Sequence, residues 1–169
     1  MKTIKLLKTC INIYYYLMLI SFVFGLITLP ILLFTQASFE INMLGSGTID
    51  LGLLNVYENL LIITVMVIVF GIYFMAIRLI KLTVDAMSTG DYFSSYVITN
   101  FKKIGKFFLF CAFGFSILES IVKIIVYNKF TIGINSVFAL FLIIGLFLTF
   151  LSEVFKIAKA AKEENELTV

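Results

Sequence analysis

Glu119 and Lys123 are the residues whose types and spacing best suit chemistry in this chain. They stand four apart inside a long apolar run, so on a helix they share one face. Ala112, Ser116 and Ser120 follow each other on that face, also four apart. An acid, an amine and two hydroxyls in line can relay protons or ions, or form the polar floor of a cavity open to one side. The same five residues can instead form an ion pair on a small-residue stripe that sets helix register. A charge facing lipid costs about 2.5–3.5 kcal/mol at mid-helix. The stripe should therefore turn toward other helices. For a span starting at Phe107, Glu119 lies roughly 18 Å in, at about 1.5 Å per residue. That is past the midplane, with Lys123 near enough to the far surface to snorkel. Thr64, Ser21 and Thr28 on other apolar runs are hydroxyls within conceivable reach of the stripe.

Other chemistries lack their residues. The chain has no His, so a Ser–His–Asp triad and a Cys–His pair are excluded. Cys10 and Cys111 offer no metal-ligand spacing and are read as small apolar residues, with no structural disulfide expected. Asp91 sits in a turn-forming Thr89-Gly90-Asp91 run and does not supply the two intramembrane acids of an aspartyl protease. No Gly-rich loop is followed by a phosphate-binding Lys. The reading is of a non-enzyme without cofactor or metal.

The elements that must position these residues are membrane spans. Hydrophobic residues make up 62% of the 169 and charged ones 14%, which excludes a soluble domain and a nucleic-acid-binding surface of ordinary size. Spans are expected at 11–35, 59–79, 107–127 and 134–155, since about 20 apolar residues cross a bilayer. The first is too long for a signal-peptide core of about 7–15 residues, so it is read as a retained helix, kinked near Pro30. The fold class is all-α: four transmembrane helices in two antiparallel hairpins, joined by a polar connector over 81–106. Phe39–Met43 and Thr48–Leu51 alternate apolar and polar residues around Gly45-Ser46-Gly47, the pattern of a short β-hairpin in the first loop. Ser94 or Ser95 should cap the helix that continues into the third span. The stretch 156–169 is made of good helix formers and should extend the last helix before fraying.

Charge sets an expected orientation. Of the 13 Lys and Arg residues, only Lys123 and Lys129 fall on one side of the proposed spans. The other eleven lie at the N-terminal end, in or beside the connector, or after the fourth span. The positive-inside rule then puts both termini in the cytoplasm of a multi-pass protein.

On that face the C-terminal stretch changes sign. Lys156, Lys159 and Lys162 precede Glu163, Glu164 and Glu166. This is either a basic patch on anionic lipid with a solvated end, or a docking strip for a protein. Phe155, Lys159 and Lys162 share one helical side. Phe155 followed by Lys162-Glu163-Glu164-Asn165-Glu166-Leu167, and Gly90-x-x-Phe93 with Asn100-Phe101-Lys102-Lys103 in the connector, resemble the bacterial four-helix membrane family known as domain of unknown function 2975. Ala158, Ala161 and Glu166 depart from that family's pattern. The resemblance implies a bacterial cytoplasmic-membrane protein that sequesters or modulates a small helix-turn-helix regulator. Gly90, Phe93, Asn100, Lys102, Lys103, Phe155, Lys162, Glu163, Glu164, Asn165, Glu166 and Leu167 are then the docking candidates. The alternatives are a small transporter or channel-like subunit using the stripe, and a structural accessory subunit. The lipid bilayer and further copies of the chain are the other partners this reading allows.

Overall fold

The computed structural model of the chain describes residues 2–35, 40–43, 47–50, 52, 54–131 and 134–167. Its elements in order are α1 (Lys2–Thr35), β1 (Glu40–Met43), β2 (Gly47–Asp50), α2 (Val56–Ser88), α3 (Ser95–Tyr127) and α4 (Ser136–Leu167). All four helices are long and apolar enough to cross a membrane. The protein is therefore a multi-pass membrane protein. β1 and β2 pair antiparallel, with Glu40 opposite Asp50 and Met43 opposite Gly47. Gly45 and Ser46 lie outside the described residues.

Local chemistry explains the helix ends. Asn55 precedes α2, and Glu58 reaches back to accept the Asn55 N–H at 2.9 Å, capturing a donor that the first turn leaves open. Ser94 caps α3 by accepting from Val97 N–H at 3.2 Å. Asn128 closes α3 in the left-handed region at φ 50°, and its N–H bonds to Ile124 O. α1 continues as helix through Pro30 to Thr35.

The expected connector over 81–106 is mostly helix. α2 runs on to Ser88 and α3 begins at Ser95, leaving a short turn with Gly90 at φ 98°. Backbone packing is between sequential neighbours, α1 on α2, α2 on α3 and α3 on α4. The helices run antiparallel to their sequential neighbours, so α2 and α3 form a third hairpin, and Tyr73 of α2 also meets Phe141 of α4 edge-to-face at 5.8 Å. Each helix has 32–34 residues, about 50 Å at 1.5 Å per residue, against a hydrocarbon core of about 30 Å. The excess is polar and gathers at one end. There α2, α3 and α4 run roughly three turns past their apolar stretches. Thr83, Val84, Val97 and Asn100 are buried in this projection, so it is packed.

α3 is the central helix. It carries the longest series of buried residues, from Val97 to Val122, whereas α1 has none among its described side chains. One core cluster joins Ile62 of α2 to Leu118 and Val122; another joins Ala76 of α2 to Ile104 and Phe108. α4 lies antiparallel on α3 in a steady register. Ser95 meets Lys159, Ile98 meets Ser152, Gly105 meets Gly145, Phe108 meets Phe141 and Glu119 meets Asn135. The closest approach is glycine on glycine. A Cβ on Gly105 would stand 2.7 Å from Gly145 O and 2.9 Å from Thr149 N; one on Gly145 would stand 2.9 Å from Gly105 O.

Those neighbours are backbone atoms and cannot rotate away. Gly105→Ala and Gly145→Ala should each destabilise the protein in detergent by about 1–3 kcal/mol, the usual cost of overpacking. Gly71→Ala, with nothing within 4 Å of the new methyl, should leave the melting temperature unchanged or higher. Thermal melts followed by circular dichroism distinguish the two classes.

Candidate functional site

Two polar assemblies lie at opposite ends of the α3–α4 pair. The first contains the predicted stripe. Ala112, Ser116 and Glu119 are buried, Glu119 at 6% exposure, and Ser120 and Lys123 are half-buried. The stripe does face other helices. Both Glu119 oxygens are engaged: Lys123 Nζ donates to Oε1 at 2.6 Å and Asn135 Nδ2 donates to Oε2 at 2.7 Å. Asn135 also caps α4, its Oδ1 accepting Phe138 N–H at 2.8 Å. The Ser120 hydroxyl lies 2.9 Å from Ser116 O and 3.0 Å from Thr131 O, tying α3 to the segment that leads into α4. Thr64 and Thr28 hydroxyls bond to their own helices, at Leu60 O and Phe24 O, rather than to the stripe.

Glu119 therefore fixes how α4 starts against α3. Asn135 is the participant that spacing did not reveal. An Asn before an apolar helix is a readable cap signal, but its second bond to Glu119 depends on the register of two helices.

The second assembly is a polar cleft of about 200 Å³ where the α2–α3 turn meets the end of α4. Gly90, Asp91, Tyr92, Phe93 and Ser94 line one wall; Lys159, Lys162, Glu163 and Glu166 line the other. Aromatic rings hold the walls together. Phe155 packs edge-to-face against Phe93 at 5.7 Å and Phe101 at 5.4 Å. Lys159 Nζ donates to Ser95 Oγ at 2.7 Å and lies 3.6 Å from Glu163, while Lys162 lies 3.6 Å from Glu166. The charges of α4 are thus laid out as opposed pairs along the cleft.

Of the predicted docking residues, Gly90, Phe93, Phe155, Lys162, Glu163 and Glu166 come together here. Asn100 does not join them; it is buried inside the projection, with Nδ2 lacking a hydrogen-bond partner among the described residues. Lys102 and Lys103 are exposed on α3 away from the cleft, and Glu164 and Asn165 are exposed outside its lining. The Leu167 side chain lies outside the described residues.

The same end holds a contact with no local sequence signal. Lys8 Nζ of α1 lies 3.0 Å from Asp85 and 3.3 Å from Ser88 Oγ on α2. Cys10 is exposed and Cys111 buried, both as free thiols. Among the described residues no cluster of acids and thiols suits a metal ion. Comparison with protein-family models, with curated proteins and with solved structures yields no match.

The Glu119 geometry makes a graded prediction. Glu119→Gln keeps an acceptor for Asn135 and should be mild. Glu119→Leu removes both charge-assisted bonds from a buried position, each worth about 1.5–3 kcal/mol, and should be clearly worse. Asn135→Ala should fall between them, losing a cap worth about 1 kcal/mol together with the Glu119 bond. Melting temperatures in detergent that rank the variants in any other order contradict this role.

Proposed function

We propose that this chain is a bacterial protein of the cytoplasmic membrane, with both ends of the chain in the cytoplasm. It is non-enzymatic and holds a cytoplasmic protein, such as a small helix-turn-helix regulator, at the membrane surface. This is the function implied by its resemblance to the domain of unknown function 2975 family, to which we assign it. Eleven of its 13 basic residues gather at the end bearing the cleft, which supports the orientation.

The observation that carries the reading is the cleft. Residues 90–94 and 159–166 are far apart in sequence, yet they converge into one surface on a packed projection. A projection needed only to turn the chain around would require a few residues. This one presents aromatic and oppositely charged groups where a soluble protein can approach. DNA-binding regulators are basic on their DNA-facing surface, which complements Glu163, Glu164 and Glu166. A regulator held by that surface is kept from DNA. Both Glu119 oxygens are occupied by neighbouring side chains, which supports a structural role for the stripe over a transport one.

Orientation and docking are tested separately. With Cys10 and Cys111 replaced by Ala, a cysteine at Asn128 should react with an impermeant maleimide in intact cells, whereas one at Glu164 should react only after lysis. The opposite pattern overturns the orientation. Crosslinking pull-down from native membranes should recover a basic cytoplasmic protein with the wild type. Recovery should fall sharply for Glu163→Lys/Glu166→Lys and for removal of 162–169, and should weaken with salt, as exposed charges are screened over about 8–10 Å. Equal recovery by the truncated protein contradicts the docking role.

A further inference from the structure

The seam between α1 and α2 has a cationic end and an apolar end, and neither is accounted for by the docking surface. At the cationic end Lys81 Nζ lies over two tyrosine rings of α1, 4.6 Å from the Tyr15 centroid and 4.8 Å from that of Tyr16. Tyr15 also stacks on Phe74 at 5.5 Å. Phe74, Arg78 and Lys81 follow each other at helical spacings of four and three, so they occupy one face of α2. Arg78 therefore sits between two residues that both contact Tyr15, and it is exposed. Asp85, one turn beyond Lys81, pairs with Lys8 instead. Among the described residues neither Arg78 nor Lys81 has a carboxylate within ion-pair distance. Lys81 over the seam and Arg78 on the same face of α2 thus have no carboxylate partner among the described residues.

Depth matters. From Asn59, at the start of the apolar stretch of α2, Arg78 is about 28 Å along the helix, close to the full hydrocarbon thickness of about 30 Å. Lys81 is about one turn farther out. This is the level of lipid phosphates, with Tyr15 and Tyr16 as the interfacial aromatics.

Below that level the seam opens into an apolar cleft of about 270 Å³. It begins one turn from Tyr15, at Met18, and passes Phe22 and Gly25; Met66 and Phe70 face them from α2. Gly25 leaves open space, with nothing within 4 Å of where a Cβ would stand. Phe22 stacks on Phe74 at 5.5 Å, so cleft and cations are continuous along one seam.

We propose that this seam binds an acidic phospholipid, its phosphate at Arg78 and Lys81 and one acyl chain in the cleft along Met18–Leu29. Charge complementarity selects an anionic over a zwitterionic headgroup. Basic pockets between transmembrane helices bind such headgroups. The two tyrosines hold Lys81 in place by cation–π attraction, so less freedom is lost when the phosphate arrives.

The test uses the full chain purified in detergent, titrated with phosphatidylglycerol or phosphatidylcholine and read by native mass spectrometry and by thermal melts. Wild type should retain phosphatidylglycerol preferentially and melt higher with it. Arg78→Gln/Lys81→Gln should lower apparent affinity for phosphatidylglycerol about tenfold or more, because both cations that attract the anionic headgroup are lost. Lys106→Gln/Lys156→Gln, which removes equal charge from α3 and α4, should keep the preference. Gly25→Leu, which fills the cleft where there is room, should lower retention of either lipid. Inorganic phosphate alone should not stabilise the protein. Against the variants' failing to fold, a photoactivatable phosphatidylglycerol on wild type should crosslink within residues 15–29 and 66–81. The proposal is overturned by an unchanged preference in Arg78→Gln/Lys81→Gln, by equal loss in the control pair, by stabilisation with free phosphate, or by crosslinks confined to α3 and α4.

Discussion

The backbones of α3 and α4 meet at Gly105 and Gly145, where each glycine faces the other's carbonyl and a methyl has no room. In lipid there is no hydrophobic force between helices, because acyl chains are as apolar as leucine. Association depends on close packing and on polar bonds, and both need the backbones near each other. This contact provides that nearness, and the register it sets is read out in both directions. Toward one end it brings Phe108 onto Phe141 and Glu119 to Asn135. Toward the other it brings Ser152 to Ile98 O, Phe155 to Phe101 and Lys159 to Ser95. Both polar assemblies therefore inherit their geometry from one glycine crossing.

The two ends use that geometry differently. At the Glu119 end, charge is buried and committed within the protein, consistent with a pin that starts α4 in place. At the cleft end, charges are exposed and arranged as pairs on a helix that has left the hydrocarbon. A buried ion pair specifies packing, whereas exposed pairs contribute little stability and remain available to a partner. α1 stands apart from this division. It packs on α2 through rings and through Lys8–Asp85, and none of its described side chains is buried. Its looser seam is where a lipid can enter.

Much of the fold was legible in the residues. Four long apolar runs could be only helices, since a lipid-exposed backbone must satisfy its own hydrogen bonds. Ser94 and Ser95 announced the start of α3, with Ser94 the one that caps it, and the helix formers after Phe155 announced the extension of α4. The third span, with Glu119 and Lys123 inside its apolar run, proved to be the central one, because only a helix shielded by others tolerates Ser116 and Glu119. The stripe itself was legible through its spacing of four. What could not be read was register. Nothing local joins Lys8 to Asp85 or Glu119 to Asn135. The polar connector was legible as a turn near Gly90 and a helix leading into the third span, but not as a packed continuation of α2 to Ser88. Its burial of Thr83, Val97 and Asn100 follows from three helix ends meeting, which no single stretch records.

The most direct measurement is the α3–α4 register in native membranes. In a chain with Cys10 and Cys111 replaced by Ala, cysteines at Ser95 and Lys159 should be joined efficiently by a short bifunctional maleimide. Ser95 with Lys129, at the start of α3 and just past its end, should not be joined. Adding Gly145→Leu to the first pair should reduce its yield, because the crossing that sets the register is then wedged apart. Absence of the Ser95–Lys159 crosslink, or an unchanged yield with Gly145→Leu, would contradict the account.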